Sequence, residues 1–214
     1  MSGTFITFEG PDGAGKTSVL RAIVERLAPL LGDKLVLTRE PGGKDSQVAE
    51  AIRDVVLDPN LPSMDAWTEA LLYAASRRQH LVDTVLPALA ADKVVVSDRY
   101  VDSSIAYQGG GRRLGIEAVT EINQFATKGI MPTATIYLDI RPEVGLQRIQ
   151  ENRQDEINRL DVEKLSFHQR VTDAYHQLAT QYPERFLIIN AEQDLADVIT
   201  DTWTALMPIL GIHD

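Results

Sequence analysis

The chain has 214 residues, 44% of them apolar, enough for one ordinary hydrophobic core, and a formal charge of −10. That acidity argues against duplex nucleic acid or an anionic membrane as a partner, so any phosphate must be gripped by a local cluster of donors. There is no cysteine, which excludes disulfides, thiolate zinc sites and cysteine nucleophiles together.

The first ten residues, MSGTFITFEG, pass straight into a strand-like run with no basic and apolar leader pattern. No apolar run approaches the ~20 residues of a membrane span, so a cytoplasmic protein is expected. Residues 4–8 read as a strand and 17–31 as a helix ended by Gly32-Asp33; a second strand is expected at 35–37. Helical patterns follow over 46–57 and 66–90, where Leu71, Ala75, Val82 and Leu86 recur at helical spacing. Val94-Val95-Val96 has the continuous apolar character of a strand covered on both faces. Further helices are expected over 115–128, 143–151, 161–181 and 194–209, with strands at 135–138 and 186–189. Alternation of this kind predicts an α/β fold, a parallel five-stranded sheet flanked by helices on both faces, in one domain spanning 1–214. Residues 152–159 are polar and poorly periodic, which suits a surface loop or a lid, here bounded at about 148–160. His168 and His176, eight apart on one expected helix, read as surface positions rather than metal ligands.

Gly10-Pro11-Asp12-Gly13-Ala14-Gly15-Lys16-Thr17, followed by Ser18, satisfies G-x-x-x-x-G-K-[ST] between a strand and a helix. Glycines let the backbone curl so that several N–H groups converge on a phosphate at the positive end of the helix. Lys16 would reach the β- and γ-phosphates of a nucleotide, and Thr17 would hold Mg²⁺. A carboxylate in such a loop, Asp12, is unexpected and calls for a reason. Phosphate loops serve switches, motors and kinases, and no Asn-Lys-x-Asp base-reading motif of a guanine-nucleotide switch is present.

A kinase needs further cations to hold an acceptor anion against the γ-phosphate. Arg39 follows the second strand and Asp98-Arg99-Tyr100 the third, at the sheet edge where open α/β folds bind ligands. Arg39, Arg99 and Lys16 are therefore expected to converge, against the plainer alternative of surface salt bridges. Asp98 stands where a magnesium-linked carboxylate is usual; the alternative is a structural pair with Arg99. Tyr73, Ser76, Arg77 and His80 share one helix face, which could stack on a flat base and bond its carbonyl edge or could be a solvated stripe.

Taken together, FEGPDGAGKT, TREPGG, LLYAASRRQH, DRYVDSSIAYQGGG, TIYLDI and NRLD resemble bacterial thymidylate kinases over residues 4–200. The resemblance implies the P-loop nucleoside monophosphate kinase fold and transfer of the ATP γ-phosphoryl group to dTMP, with Mg²⁺, in a homodimer. It implies that Arg39, Arg53 and Arg99 contact the acceptor phosphate, that Asp98 acts near magnesium, and that Tyr73 stacks on thymine where the family usually has phenylalanine. It further implies that Arg77 reaches the thymine O4, Ser104 and Gln108 the other polar edge, and that Tyr107 lies against the sugar. Asp12 would accept from the 3′-hydroxyl of dTMP. No arginine occupies the phosphate loop, and Arg153, with Arg148 and Arg159 as rivals, matches the lid arginine of the bacterial type. Segment 44–50 departs from the family pattern and weakens the Arg53 expectation. Another nucleotide or nucleoside kinase on this fold, and a nucleotide-dependent switch without phosphotransfer, are the competing readings.

Overall fold

The computed structural model describes residues 3–61, 63–152 and 163–212. Among them, β1 (Thr4–Glu9), β2 (Leu35–Arg39), β3 (Val94–Asp98), β4 (Ala134–Asp139) and β5 (Phe186–Asn190) form one parallel sheet in the order β2-β3-β1-β4-β5. Among the described residues nine α-helical elements surround it: α1 (Lys16–Leu31), α2 (Gln47–Leu57), α3 (Ala66–His80), α4 (Leu86–Ala90), α5 (Val101–Ser104), α6 (Ile116–Thr127), α7 (Pro142–Asn152), α8 (Leu165–Gln181) and α9 (Leu195–Leu210). Wider π-helical turns join α3 to α4 through Leu81–Val85 and extend α5 through Ile105–Gly111.

Alternation along the strands sends successive side chains into two cores. Phe5, Val95 and Tyr137 pack with α8 and the Leu81–Leu89 segment, whereas Ile6, Phe8, Val96, Ile136 and Leu138 pack with α1 and α9. Burial on both faces explains the continuous apolar run of β3 and leaves only threonine among the buried polar residues in the middle of β1 and β4. The edge strands are less covered, and Leu37 and Ile188 are exposed.

The strands run further than their apolar cores suggested. Arg39 and Asp98 are the last residues of β2 and β3 rather than the residues after them, because the ladder continues through Arg39–Asp98 and Phe8–Asp98 pairs. Backbone bonds carry it one step more: the Glu40 amide donates to the Asp98 carbonyl and the Arg99 amide to that of Phe8, both at 2.9 Å. The loops after β1, β2 and β3 therefore leave from one row at one edge.

Four other expectations are corrected. The segment Val101–Gly111 is helical although its serines and glycines gave no such signal; almost all of it is buried, so tertiary packing overrides weak propensity. The periodic apolar positions turn outward: Leu71 and Ala75 on α3 and Val82 just after it are exposed and Leu86 is half-buried, while the buried side of α3 carries Ala70, Ala74, Ser76, Arg77 and His80. His168 is buried, not superficial, while His176 is half exposed and meets Asp139 at 2.8 Å. The helix expected from 161 is observed from Leu165, and residues 153–162 lie outside the described residues.

Candidate active site

The loop between Glu9 and Lys16 is held from within and from below. Lys16 is buried, and its Nζ donates to the Gly10 and Pro11 carbonyls at 2.9 and 2.8 Å. Gly13, at φ 80°, lies so close to α7 that a Cβ would fall 2.1 Å from the Gly145 carbonyl oxygen. No larger residue fits between loop and helix. Burial, then the nearby Arg99 charge, lowers the Lys16 ammonium to about 8, against the pull of Asp12, Asp98 and Glu9. An arriving polyphosphate would restore its full charge.

Arg39, Arg53 and Arg99 line the same cavity of about 880 Å³ as Lys16, so the expected cations do converge. Arg39 and Arg53 each donate from Nη1 to the Pro41 carbonyl at 2.8 Å, and Arg39 Nη2 reaches Glu50 at 2.9 Å. Glu50 also accepts from the Gly43 amide at 2.5 Å, which pins the turn after the cis Glu40–Pro41 peptide. Burial raises the Glu50 carboxyl, but the Gly43 amide and Arg39 outweigh it and leave it below the ordinary carboxylate range. The altered segment 44–50 thus supplies the clamp for Arg39, and Arg53 still reaches the cavity.

Arg99 joins loop and clamp. Its Nη2 meets Asp12 at 2.6 Å, its Nη1 donates to Ser103 at 3.0 Å, and the guanidinium lies 5.0 Å from the centre of the Tyr107 ring. The Tyr107 hydroxyl donates to the other Asp12 oxygen at 2.7 Å. Arg99 pairs with Asp12 rather than with its neighbour Asp98. Burial raises the Asp12 carboxyl, but Arg99, Lys16 and the tyrosine hydroxyl more than offset this and hold it below its usual range.

Arg99 adopts φ 70°, a left-handed conformation unusual outside glycine, and buried Glu9 fixes the turn that follows. Glu9 accepts from the Tyr100 amide at 2.7 Å, from Ser103 at 2.5 Å and from the Tyr175 hydroxyl at 2.9 Å. Burial and the neighbouring Asp102 charge push its carboxyl up to about 7, against the bonds from Ser103 and Tyr175 and the Arg99 charge.

The same cavity is lined further by Tyr73, Arg77, Ser104, Tyr107 and Gln108. Arg77 is buried and heavily bonded: Nε to Glu40 at 2.7 Å, Nη1 to Ser104 at 3.0 Å and to Asn123, and Nη2 to the Tyr100 carbonyl at 3.0 Å. His80 stands behind it between Glu40 at 2.9 Å and Thr38 at 2.6 Å, so it supports rather than faces the cavity. Gly43 must be small here, since a Cβ would approach His80 to 2.5 Å. Ser76 corrects the sequence reading. It is fully buried and does not line the cavity; its hydroxyl accepts from the Gly42 amide and donates to the Ala49 carbonyl, tying α3 to its neighbours.

Of the loop residues, Asp12, Gly13, Gly15, Lys16, Thr17 and Ser18 face the cavity, whereas Gly10, Pro11 and Ala14 do not. Thr17 and Asp98 line it together, and Asp98 Oδ1 is buried without a hydrogen-bond partner among the described residues. An orphaned carboxylate oxygen near a loop threonine suits Mg²⁺. No group of three metal-binding acids exists among the described residues, so such an ion would take its other ligands from phosphate and water. Arg148 and Leu195 line the cavity at the loop side, with Arg148 donating to the Ala191 carbonyl at 2.8 Å. Arg153 and Arg159 lie outside the described residues. Glu9, Glu50, Glu69 and Asn123 were not singled out in the sequence. Only Glu50, three residues before Arg53 on one helix, offered a positional hint.

Residues 8–201 match the model of the thymidylate kinase family. A thymidylate kinase of Leuconostoc citreum is 58% identical over 207 residues, covering 97% of this chain and 96% of the relative. One of Pediococcus pentosaceus is 56% identical over 211 residues, covering 99% and 100%. The crystal structure of thymidylate kinase from Ehrlichia chaffeensis superposes with a TM-score of 0.79 at 29% identity, covering 97% of this chain and all of that one.

The Glu9 carboxyl gives a pH prediction. Below its unfolded value of 4.5 both states hold the proton; between 4.5 and about 7 only the folded state does; above that the folded state carries a buried charge. The Glu9 contribution to stability therefore falls as pH rises through this window. Glu9→Gln should gain about 3 kcal/mol relative to the parent chain between pH 4.5 and 7.5 in urea unfolding. A stability difference independent of pH would remove the raised carboxyl.

Proposed function

The chain belongs to the thymidylate kinase family and transfers the γ-phosphoryl group of ATP to dTMP, and we propose that the cavity lined by Lys16, Arg39, Arg53 and Arg99 is where that transfer occurs. The observation that carries this reading is the Arg99–Asp12 pair, which ties a phosphate-donor loop to an acceptor clamp inside one cavity.

Phosphoryl transfer asks little covalent chemistry of a protein; it asks for alignment and cancellation of charge. The loop amides and Lys16 hold the donor phosphates at the start of α1. Arg39, Arg53 and Arg99 hold the phosphate of dTMP, whose oxygen is already mostly ionised near neutral pH, so no strong general base is required. Tyr73 stacks on thymine, Arg77 donates to its O4 carbonyl, and Ser104 and Gln108 face the rest of its polar edge. Tyr107 lies against the deoxyribose. Asp12, bonded by Arg99 and Tyr107, retains lone pairs for the 3′-hydroxyl. Mg²⁺, held through Thr17 and Asp98, would neutralise charge on the donor phosphates. Arg153 closes over ATP as the lid arginine, with Arg148 and Arg159 as its rivals.

The whole chain acts as a single catalytic domain, and it works in the cytoplasm without nucleic acid or a membrane. No helix among the described residues is long and apolar enough to cross a membrane. We further propose a homodimer formed through α2 and α3, supported by the exposed Val48 and Val55 on α2 and Trp67 and Leu71 on α3. Leu71→Glu should convert particles of twice the chain mass into single chains in light scattering; an unchanged mass would place the contact elsewhere.

A coupled ADP-release assay with dTMP, dUMP, AMP, CMP, GMP and thymidine tests the acceptor directly. Strong preference for AMP or GMP would overturn the base-site reading. In the same assay Arg99→Ala should lower kcat with dTMP by roughly a hundredfold or more. Near-normal kcat and KM would remove Arg99 from the clamp. Asp12→Ala should raise KM for dTMP by about tenfold, as loss of a charged hydrogen bond does, while changing KM for ATP far less. Equal effects on both substrates would mean a damaged loop.

A further inference from the structure

We infer that Glu69, which the reaction itself never touches, is a positioning residue that sets which bases the enzyme accepts, by fixing the orientation of the Gln108 amide. The inference rests on the reading of Gln108 as a base contact. Glu69 is buried in α3 at 1% exposure, and Gln108 is equally buried on the π-helical turn after α5. Gln108 Nε2 donates to Glu69 Oε1 at 3.0 Å. Arg112 brackets the same carboxylate, with Nε at 3.2 Å from Oε1 and Nη2 at 3.3 Å from Oε2.

A primary amide can present either its donor or its acceptor end, and alone it reads both edges equally well. A carboxylate paired with a guanidinium can only accept. The nitrogen of Gln108 must therefore face Glu69, and its Oε1 turns to the opposite side. That oxygen takes no hydrogen bond from the described residues, and Gln108 lines the cavity. Glu69 thus makes Gln108 an acceptor toward the cavity.

Arg77 supplies the complementary group. Its bonds to Glu40, Ser104, Asn123 and the Tyr100 carbonyl use four of its five N–H donors, leaving one on Nη2. One donor beside one acceptor matches a carbonyl next to a ring N–H, the O4 and N3–H of thymine or uracil. Cytosine offers the reverse, an amino group beside an unprotonated ring nitrogen, and would set acceptor against acceptor at Gln108. Glu69 is therefore the residue that excludes cytosine without contacting it.

The test is the ratio of kcat/KM for dTMP over dCMP in Glu69→Gln, Gln108→Leu and the double variant, with KM for ATP measured alongside. In Glu69→Gln the neighbour can donate as well as accept, so the Gln108 amide is released to turn. The ratio should fall about tenfold or more, as expected when a buried polar pairing is no longer enforced, with KM for ATP unchanged. In the Gln108→Leu background the same substitution should have no further effect on the ratio, since Glu69 acts through Gln108. If Gln108→Leu lowers the ratio but Glu69→Gln does not, the positioning role is overturned while the base site stands. If Gln108→Leu leaves the ratio intact, the base contact itself is wrong and the role of Glu69 falls with it. A fall of equal size with and without Gln108, or a parallel rise in KM for ATP, marks Glu69 as a general packing residue and also overturns the inference.

Discussion

A buried carboxylate holds the centre of this protein's chemistry in place. Glu9, the last residue of the central strand, takes the Tyr100 amide, the Ser103 hydroxyl and the Tyr175 hydroxyl. Those bonds fix the turn in which Arg99 stands at a left-handed backbone angle. Ser103, donating to Glu9, is left to accept from Arg99, so the same carboxylate governs both backbone and side chain of the arginine. Arg99 then reaches across to Asp12 and joins the phosphate loop to the proposed acceptor clamp. Strand β1 carries the anchor at its end and the loop immediately after it, which makes the central strand the reference from which both substrate sites are measured.

The pattern repeats at each working group. Glu50 holds Arg39, Glu40 holds Arg77, and Glu69 holds Gln108, all by direct hydrogen bonds. A chain with formal charge −10 that binds two polyanions looks contradictory until these pairs are counted as local structure. Four of its cations, Lys16, Arg39, Arg53 and Arg99, line one cavity, where Arg39, like the buried Arg77, is aimed by an acid behind it. Long side chains lose considerable rotamer freedom when a ligand fixes them, and prior fixing by a carboxylate moves that cost from binding to folding.

How far the sequence could be read follows from the range of the interactions involved. All five strands and the order of the helices apart from α5 were legible, because strands covered on both faces and helical spacing are local signals. The phosphate loop was legible because its glycines and Lys16 are contiguous. The convergence of Arg39 and Arg99 followed from their places at strand ends. What stayed hidden is built from contacts between distant segments. The helical run Val101–Gly111 has poor local propensity and is folded by what covers it. Ser76 sits on the expected face of α3 but lies deep enough to be used by Gly42 and Ala49, a difference of depth that periodicity does not encode. The outward turn of Leu71 has the same origin: α3 spends its inner side on polar groups that serve the site, so its apolar stripe is left for another surface.

Asp12 shows how these threads meet. An acid in a loop that binds phosphate weakens that loop for its donor, and burial alone would favour its neutral form. Arg99, Lys16 and Tyr107 keep it charged, and in exchange it neutralises Arg99 before any substrate arrives. The clamp therefore does not wait as bare positive charge in a closed space, which would be costly and prone to collapse onto any anion. An arriving phosphate has to share Arg99 with a partner already in place. Binding thus adds a second anion beside Asp12 around a fixed guanidinium, giving up part of the pull of Arg99 on phosphate for the alignment of the two substrates. For an enzyme whose catalysis is positioning and charge cancellation, that is the favourable side of the balance.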